Sequence, residues 1–357
     1  MKLKTLFLII ISSIIFTQLC SCQKNIKLID QYITRKMADN KIPGLSVLVL
    51  KNGNVLNNSN YGLASIEFNI PVSDSTIFQL ASVTKIFTST IIIRLVEDGK
   101  LKLDQSVTEY IDSLPKTWDA IKIKNLLNHT SGIKNHFQTK NWNSIQKDNQ
   151  DKLTIRQIIQ FSADEPLMFL PGEKWSYSVT GYMILGMIAE KISGKSFQIL
   201  AKEMLFKPLN MTHTQYGDYK AIIKNRNSLV YTFQNGPFET WNFTYGLSGT
   251  TAAGLNSSTS DLMKFFIALD KGKILKQMSM DNMMTPTILP DGSAIKYGLG
   301  WVVDEHNGKI CYGHEGGGCC WVDYYRTEHL TVIVLSNLTG SKADEIIKGV
   351  ADFYLTH

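Results

Sequence analysis

Strand-like runs stand at the two ends of this chain, with helical periodicity between them. Near the start, "GLSVLVLKNGNVLNNSNYGLAS" (44–65) reads as two strands folded about a Lys51-Asn52-Gly53-Asn54 turn, and Asn-Gly is a strong hairpin signal. Near the end, "YGLGWVVD", "KICYGHEG", "CWVDYYRT" and "LTVIVLSN" follow one another through turns at Asn307-Gly308, Gly316-Gly317-Gly318 and Glu328-His329. The middle reads as helices at 83–98, 154–162, 180–192, 196–206 and 259–270, and a last helix over 342–355 closes the chain. In "TSDLMKFFIALD" the apolar face is Leu262, Phe265, Phe266 and Leu269, with Thr259 or Ser260 as N-cap. Strands from both ends can share one sheet only if the middle packs against it. The pattern therefore predicts an α+β fold: an antiparallel sheet built from both chain ends, flanked by helices, with a helical insert. The sheet region covers about 27–75 and 255–357 and the helical region about 76–254. A chain of 357 residues can bury a sizeable core, and no repeat, low-complexity tract or linker divides it.

The first residues carry a different signal. "MKLKTLFLIIISSIIFTQLCSC" has a basic start and an apolar stretch from Leu6 to Phe16, too short for a membrane span of about 20 residues and suited to a secretory signal core. It closes on Leu19-Cys20-Ser21-Cys22, which resembles a bacterial lipoprotein box. Cys22 fits the acylated position better than Cys20, because the small Ser21 precedes it. The expectation is a signal peptide over 1–21, a mature domain over 22–357, export, and a membrane anchor at Cys22 facing the periplasm or cell surface. Ile26, Ile29, Ile33 and Met37 then recur at helical spacing, so the mature chain starts with a helix. Lys2 and Lys4 contribute two of the six net positive charges, and no like-charge run exceeds three residues. A nucleic-acid footprint is therefore not expected.

Three stretches carry candidate chemistry. Ser-x-x-Lys occurs six times, beginning at Ser21, Ser82, Ser113, Ser131, Ser144 and Ser293, so spacing alone decides nothing. Ser82 differs in its setting. It opens a helix whose Val83, Ile86, Phe87, Thr90, Ile91 and Leu95 form a wide apolar face, ending at Asp98-Gly99. Free N–H groups in the first turn favour developing negative charge. Lys85 stands one turn on, and a lysine held against apolar packing loses its charge more readily. Taken alone, the stretch reads equally as an N-cap serine beside a snorkelling lysine. The second stretch, "FLPGEKWSYSVTGYMILGMIAEKISGKS", puts Tyr177 on a loop delivered by a rigid helix; the alternative is an aromatic packed at the loop base. The third, "CYGHEGGGCCWVDYY", ends a strand at His314 before three glycines, whose backbone can approach a ligand closely and offer N–H groups; the alternative is a mobile hairpin tip.

Together with "VEDGKLKLD", "IKNLLNHTSGI", "GTTAAGLNSSTSDLMKFF" and "YGLGW", these phrases resemble the serine β-lactamase and penicillin-binding-protein superfamily over about residues 27–355, nearest to class C β-lactamases, DD-peptidases and their esterase relatives. The resemblance implies that Ser82 attacks a carbonyl to form an acyl-enzyme, with Lys85 and Tyr177 passing its proton to the leaving group. It puts His314, Gly316 and Gly317 on the substrate-binding strand, with the N–H groups of Ser82 and Gly317 as oxyanion hole. The implied partner is a peptide or small-molecule substrate: a D-amino-acid peptide, ester or amide, or a β-lactam. No cofactor is implied. Two departures bear on substrate. The family pattern Tyr-x-Asn is here Tyr177-Ser178-Val179, which removes an amide that binds acyl-amide groups, and His314, partly charged at pH 7, replaces the lysine, as is common among the esterase and peptidase relatives. A catalytically silent binding protein on the same scaffold remains the alternative.

Cys311, His314, Cys319 and Cys320 are metal-ligand types within ten residues. A strand over 309–316 would hold Cys311 roughly 15–20 Å from the glycine tip, which disfavours both a shared metal and a Cys311–Cys319 disulfide; a vicinal Cys319–Cys320 bridge stays open. His129 in "LLNHTSGI" reads as a residue that satisfies loop backbone. The loops 134–153 and 212–247 carry no readable specificity code, and neither a phosphate loop nor a Gly-x-Ser-x-Gly elbow occurs.

Overall fold

The structure, a computed structural model, describes residues 26–145, 153–217, 228–241 and 250–355. The leader, Cys22 and parts of both uncoded loops lie outside the described residues. Helix α1 (26–40) leads into strands β1 (Gly44–Lys51), β2 (Asn54–Ser65) and β3 (Ile70–Pro71). The helical middle includes α2 (Thr84–Glu97), α3 (Val179–Ser193) and α4 (Thr259–Asp270). Strands β4 (Val302–His306), β5 (Lys309–Gly316), β6 (Cys320–Tyr325) and β7 (Leu330–Ser336) precede α5 (Ala343–Leu355).

The seven strands form one antiparallel sheet in the order β4-β5-β6-β7-β1-β2-β3, so the two chain ends meet where β1 pairs with β7, from Leu45↔Ser336 to Lys51↔Leu330. Asn337 fastens that junction. Its Oδ1 accepts the Gly44 N–H at 2.8 Å and its Nδ2 donates to the Leu63 carbonyl at 2.9 Å. The α+β architecture expected from the patterning is the one observed. The β1–β2 turn takes positive φ at Asn52 (53°) and Gly53 (73°), as an Asn-Gly hairpin requires.

Period-two alternation sorts β1 between two cores. Leu45, Val47 and Val49 join Ile29 and Ile33 of α1 and Ile346, Ile347 and Val350 of α5 on one face. Leu48 and Leu50 face the larger core, which holds Phe87 and Ile91 of α2 and the helical middle. Every functional candidate from Ser82 to His314 belongs to this second face.

Helix ends differ from the sequence reading in informative ways. The helix after Ser82 begins with a 3-10 turn, Ala81–Val83, entered through positive φ at Ala81 (44°), and α2 proper starts at Thr84. The segment 196–206 is an α-helix only over Phe197–Ala201 and continues as a π turn over Lys202–Phe206. The N-cap of α4 is the extended Ser258, one residue before the expected pair. Gly316 answers a different demand: a Cβ there would stand 2.2 Å from the Leu80 carbonyl oxygen, so only glycine lets the end of β5 lie against the turn that carries Ser82.

Candidate active site

Ser82 sits half-buried at the 3-10 turn, and two groups converge on its hydroxyl. Lys85 Nζ lies 3.1 Å from Ser82 Oγ and Tyr177 Oη lies 2.9 Å from it. Lys85 is fully buried. Its ammonium position is fixed by a 2.8 Å hydrogen bond to the Ala252 carbonyl and by the rings of Tyr177 and Tyr182, whose centroids are 4.8 and 5.4 Å away. Burial pulls the Lys85 pKa from 10.5 to about 7, against a smaller upward pull from Glu315. At neutral pH a large fraction of Lys85 is therefore the free amine, able to accept a proton.

Tyr177 owes its place to backbone clamps on either side. The Ser176 N–H donates to the His129 carbonyl at 2.9 Å, and the Ser178 N–H donates to His129 Nδ1 at 3.1 Å. Asn135 Nδ2 donates to the Tyr177 carbonyl at 2.8 Å, while its Oδ1 accepts the Val179 N–H at 2.7 Å. Ser178 then caps α3 by accepting the Gly181 N–H at 3.2 Å, which ties the loop to the helix. The His129 ring packs at 4.4 Å from the Tyr177 ring and 4.8 Å from that of Tyr297. Because Nδ1 accepts, the neutral ring carries its proton on Nε2, a buried atom without a hydrogen-bond partner among the described residues. Burial first, and then Lys85 and His314, hold the His129 pKa well below 6.5.

His314 is buried on β5, its ring 6.3 Å from that of Tyr177. Nδ1 donates to the Glu315 carbonyl at 2.6 Å, and Nε2 accepts from Tyr297 Oη at 2.9 Å. Burial and the nearby Lys85 push its pKa down to about 3. Where the sequence suggests a partly charged histidine, burial and the Lys85 charge favour the neutral imidazole. Glu315 itself accepts the Gly318 N–H. Gly317, exposed at φ 59°, completes the tip beside Ala81.

Ser82, Lys85, Tyr177, His314, Gly316 and Gly317 are thus brought to one place by α2, the 176–178 loop and β5. The sequence matches the Beta-lactamase family over residues 29–354. The chain belongs to the beta-lactamase family. It is 31% identical over 317 residues to penicillin-binding protein 4* of Bacillus subtilis, covering 82% of this chain and 67% of that one. It is 30% identical over 340 residues to protein flp of Staphylococcus aureus, covering 92% and 66%. The chain therefore spans about two thirds of the length of these relatives. Among solved structures, the octameric penicillin-binding protein homologue of Pyrococcus abyssi superposes with a TM-score of 0.81 at 27% identity, covering 93% of this chain and 77% of that one. The D-amino acid amidase of Ochrobactrum anthropi SV3 shares the fold, with a TM-score of 0.77 at 24% identity over 92% and 99% of the two chains.

Several residues of this beta-lactamase family site carried no individual signal. Tyr297 lies in the phrase "YGLGW", yet nothing in its neighbourhood announces a bond to His314. Ala252 contributes a carbonyl, which any residue type supplies. His129 does satisfy loop backbone, as its sequence setting suggests, but the loop is the one that carries Tyr177. The cysteines separate as strand geometry requires: Cys311 faces the α1–α5 core, whereas Cys319 and Cys320 face the other. All three are free, and Cys319 and Cys320 donate to different carbonyls, those of Gly317 and Gln79. A cavity of about 640 Å³ behind α3, lined in part by Met183, Met187, Phe197 and Thr251, does not include Ser82.

Proposed function

We propose that this protein is a serine hydrolase acting through an acyl-serine intermediate on the peptide, amide or ester bonds of D-amino-acid compounds. One observation carries the reading: a serine hydroxyl within hydrogen-bond reach of both a fully buried, depressed-pKa lysine and a clamped tyrosine. Ser82 Oγ attacks the substrate carbonyl while its proton passes to neutral Lys85 or through Tyr177 Oη. The N–H groups of Ser82 and Gly317 receive the oxyanion. The proton is then delivered to the departing amine or alcohol, leaving Ser82 esterified. Water attacks the ester with the same pair taking its proton, and the acid product leaves. β-Lactams are disfavoured by Val179, buried where the family pattern has an amide side chain.

The direct test is intact-mass spectrometry after incubation with a fluorescent penicillin and, separately, a fluorophosphonate. A single adduct supports the reading. No adduct from either probe leaves a silent binding protein on this scaffold as the better account.

His129 yields a graded prediction. His129→Asn keeps an acceptor for the Ser178 N–H and tolerates positive φ (63° here), so ester turnover should stay within about fivefold of wild type. His129→Leu removes the acceptor and should lower kcat on the order of 10²-fold through misplacement of Tyr177. Equal losses in both variants would show that the clamp does not set the tyrosine.

Export and anchoring through Cys22 belong to the same proposal, on the strength of the apolar stretch and the small residue before the cysteine. Radiolabelled palmitate should enter the wild-type chain and not Cys22→Ala, which should leave the membrane fraction.

A further inference from the structure

Resting on the acyl-serine reading, we infer that the site takes substrates whose leaving group is uncharged, an amide or a neutral ester, and discriminates against leaving groups that carry a carboxylate.

The leaving side of a substrate held at Ser82 is the side of Tyr177 Oη, the atom placed to return a proton, and His314 stands next to it on β5. A carboxylate bound there needs a cation or free donors. His314 offers neither. Its Nδ1–H is spent on the Glu315 carbonyl, and its Nε2 lone pair receives the Tyr297 hydroxyl, so both ring nitrogens are occupied within the protein. Tyr297 cannot reverse the arrangement by ionising, because burial and the Tyr182 and Tyr177 phenols raise its pKa well above 10. The ring is only 4% exposed, so a substrate cannot reach it to exchange partners.

The remaining charges reinforce the exclusion. Among the described residues, the charge acting on Lys85 is the Glu315 carboxylate, and the charge acting on His314 is Lys85. Lys85 is itself half-neutral near pH 7 and is turned to Ser82 and the Ala252 carbonyl. A substrate carboxylate would therefore find neither a charge nor a free donor at His314, and the Glu315 carboxylate on the next residue disfavours it further. A carboxamide or an alkyl ester gives up far less.

The test uses two esters with the same acyl group and the same scissile bond: acetyl-D-alanyl-D-lactate, whose leaving group bears a carboxylate, and acetyl-D-alanyl-D-lactamide, whose leaving group is neutral. The expected result is a kcat/KM for the lactamide at least about tenfold higher, the scale of one unfavourable charge contact. Equal values, or a preference for the lactate, overturn the inference. Release of p-nitrophenol from acetyl-D-alanyl p-nitrophenyl ester, lost in Ser82→Ala, checks the underlying reading separately; without release, or with release that survives in Ser82→Ala, acyl-serine chemistry at Ser82 fails before specificity is at issue. His314→Lys restores a cation and should shift the ratio toward the lactate by about tenfold or more. A folded variant with an unchanged ratio removes His314 from the explanation. If that variant does not fold, the wild-type ratio still decides.

Discussion

Ser82→Ala should abolish the probe adducts and lower kcat/KM on an activated D-alanyl ester by about 10⁴-fold or more, as loss of a catalytic serine does elsewhere. The structure offers no substitute nucleophile on the same helix. Thr84 Oγ1 accepts the Leu255 N–H at 3.1 Å, and Ser89 Oγ donates to the Ile86 carbonyl at 3.0 Å. The substitution removes one half-buried oxygen from a 3-10 turn whose neighbour is already alanine, so the fold should be untouched and circular dichroism unchanged. An adduct that persists at full stoichiometry in Ser82→Ala would place the nucleophile elsewhere and remove the basis of the proposed function.

The second large effect concerns the proton. If neutral Lys85 is the base, the acylation rate follows its free-amine fraction, which grows as pH rises through the depressed pKa of about 7. The single-turnover rate should climb about tenfold per pH unit at acidic pH and level off above about pH 8. The sign matters: a group with an ordinary lysine pKa of 10.5 would give a rate still rising at pH 9. Lys85→Met fills the same buried volume without a charge. It should lower acylation by about 10³-fold and erase the limb near pH 7. A surviving limb in Lys85→Met would transfer the base role to Tyr177, which the 2.9 Å contact with Ser82 also permits.

What could be read from the amino-acid order was whatever is written locally. The Asn52-Gly53 turn, the two strands it joins and the apolar faces of α2 and α4 each depend on residues within a few positions of one another, and each was legible. The meeting of Ser82 and Tyr177 was legible only as a resemblance, because 95 residues separate them and no local rule brings them to 2.9 Å. The neutrality of His314 was beyond the sequence altogether. Its depressed pKa arises from burial first and then from a lysine on another element, neither of which is written near His314 in the chain. The positive φ at Ala81 was hidden for a similar reason: alanine rarely adopts it, and the turn it opens lies against Gly316 of β5, far along the chain.

The pairing of α1 with α5 has a practical side. Tyr32 Oη donates to the Glu345 carbonyl at 3.0 Å, Lys36 meets the Glu345 carboxylate at 2.9 Å, and the Tyr32 and Phe353 rings lie 6.2 Å apart. Both helices cover the sheet face that Ser82 does not share. A bead, an electrode or a lipid surface coupled through either helix would therefore hold the molecule by the sheet face opposite the one that carries Ser82.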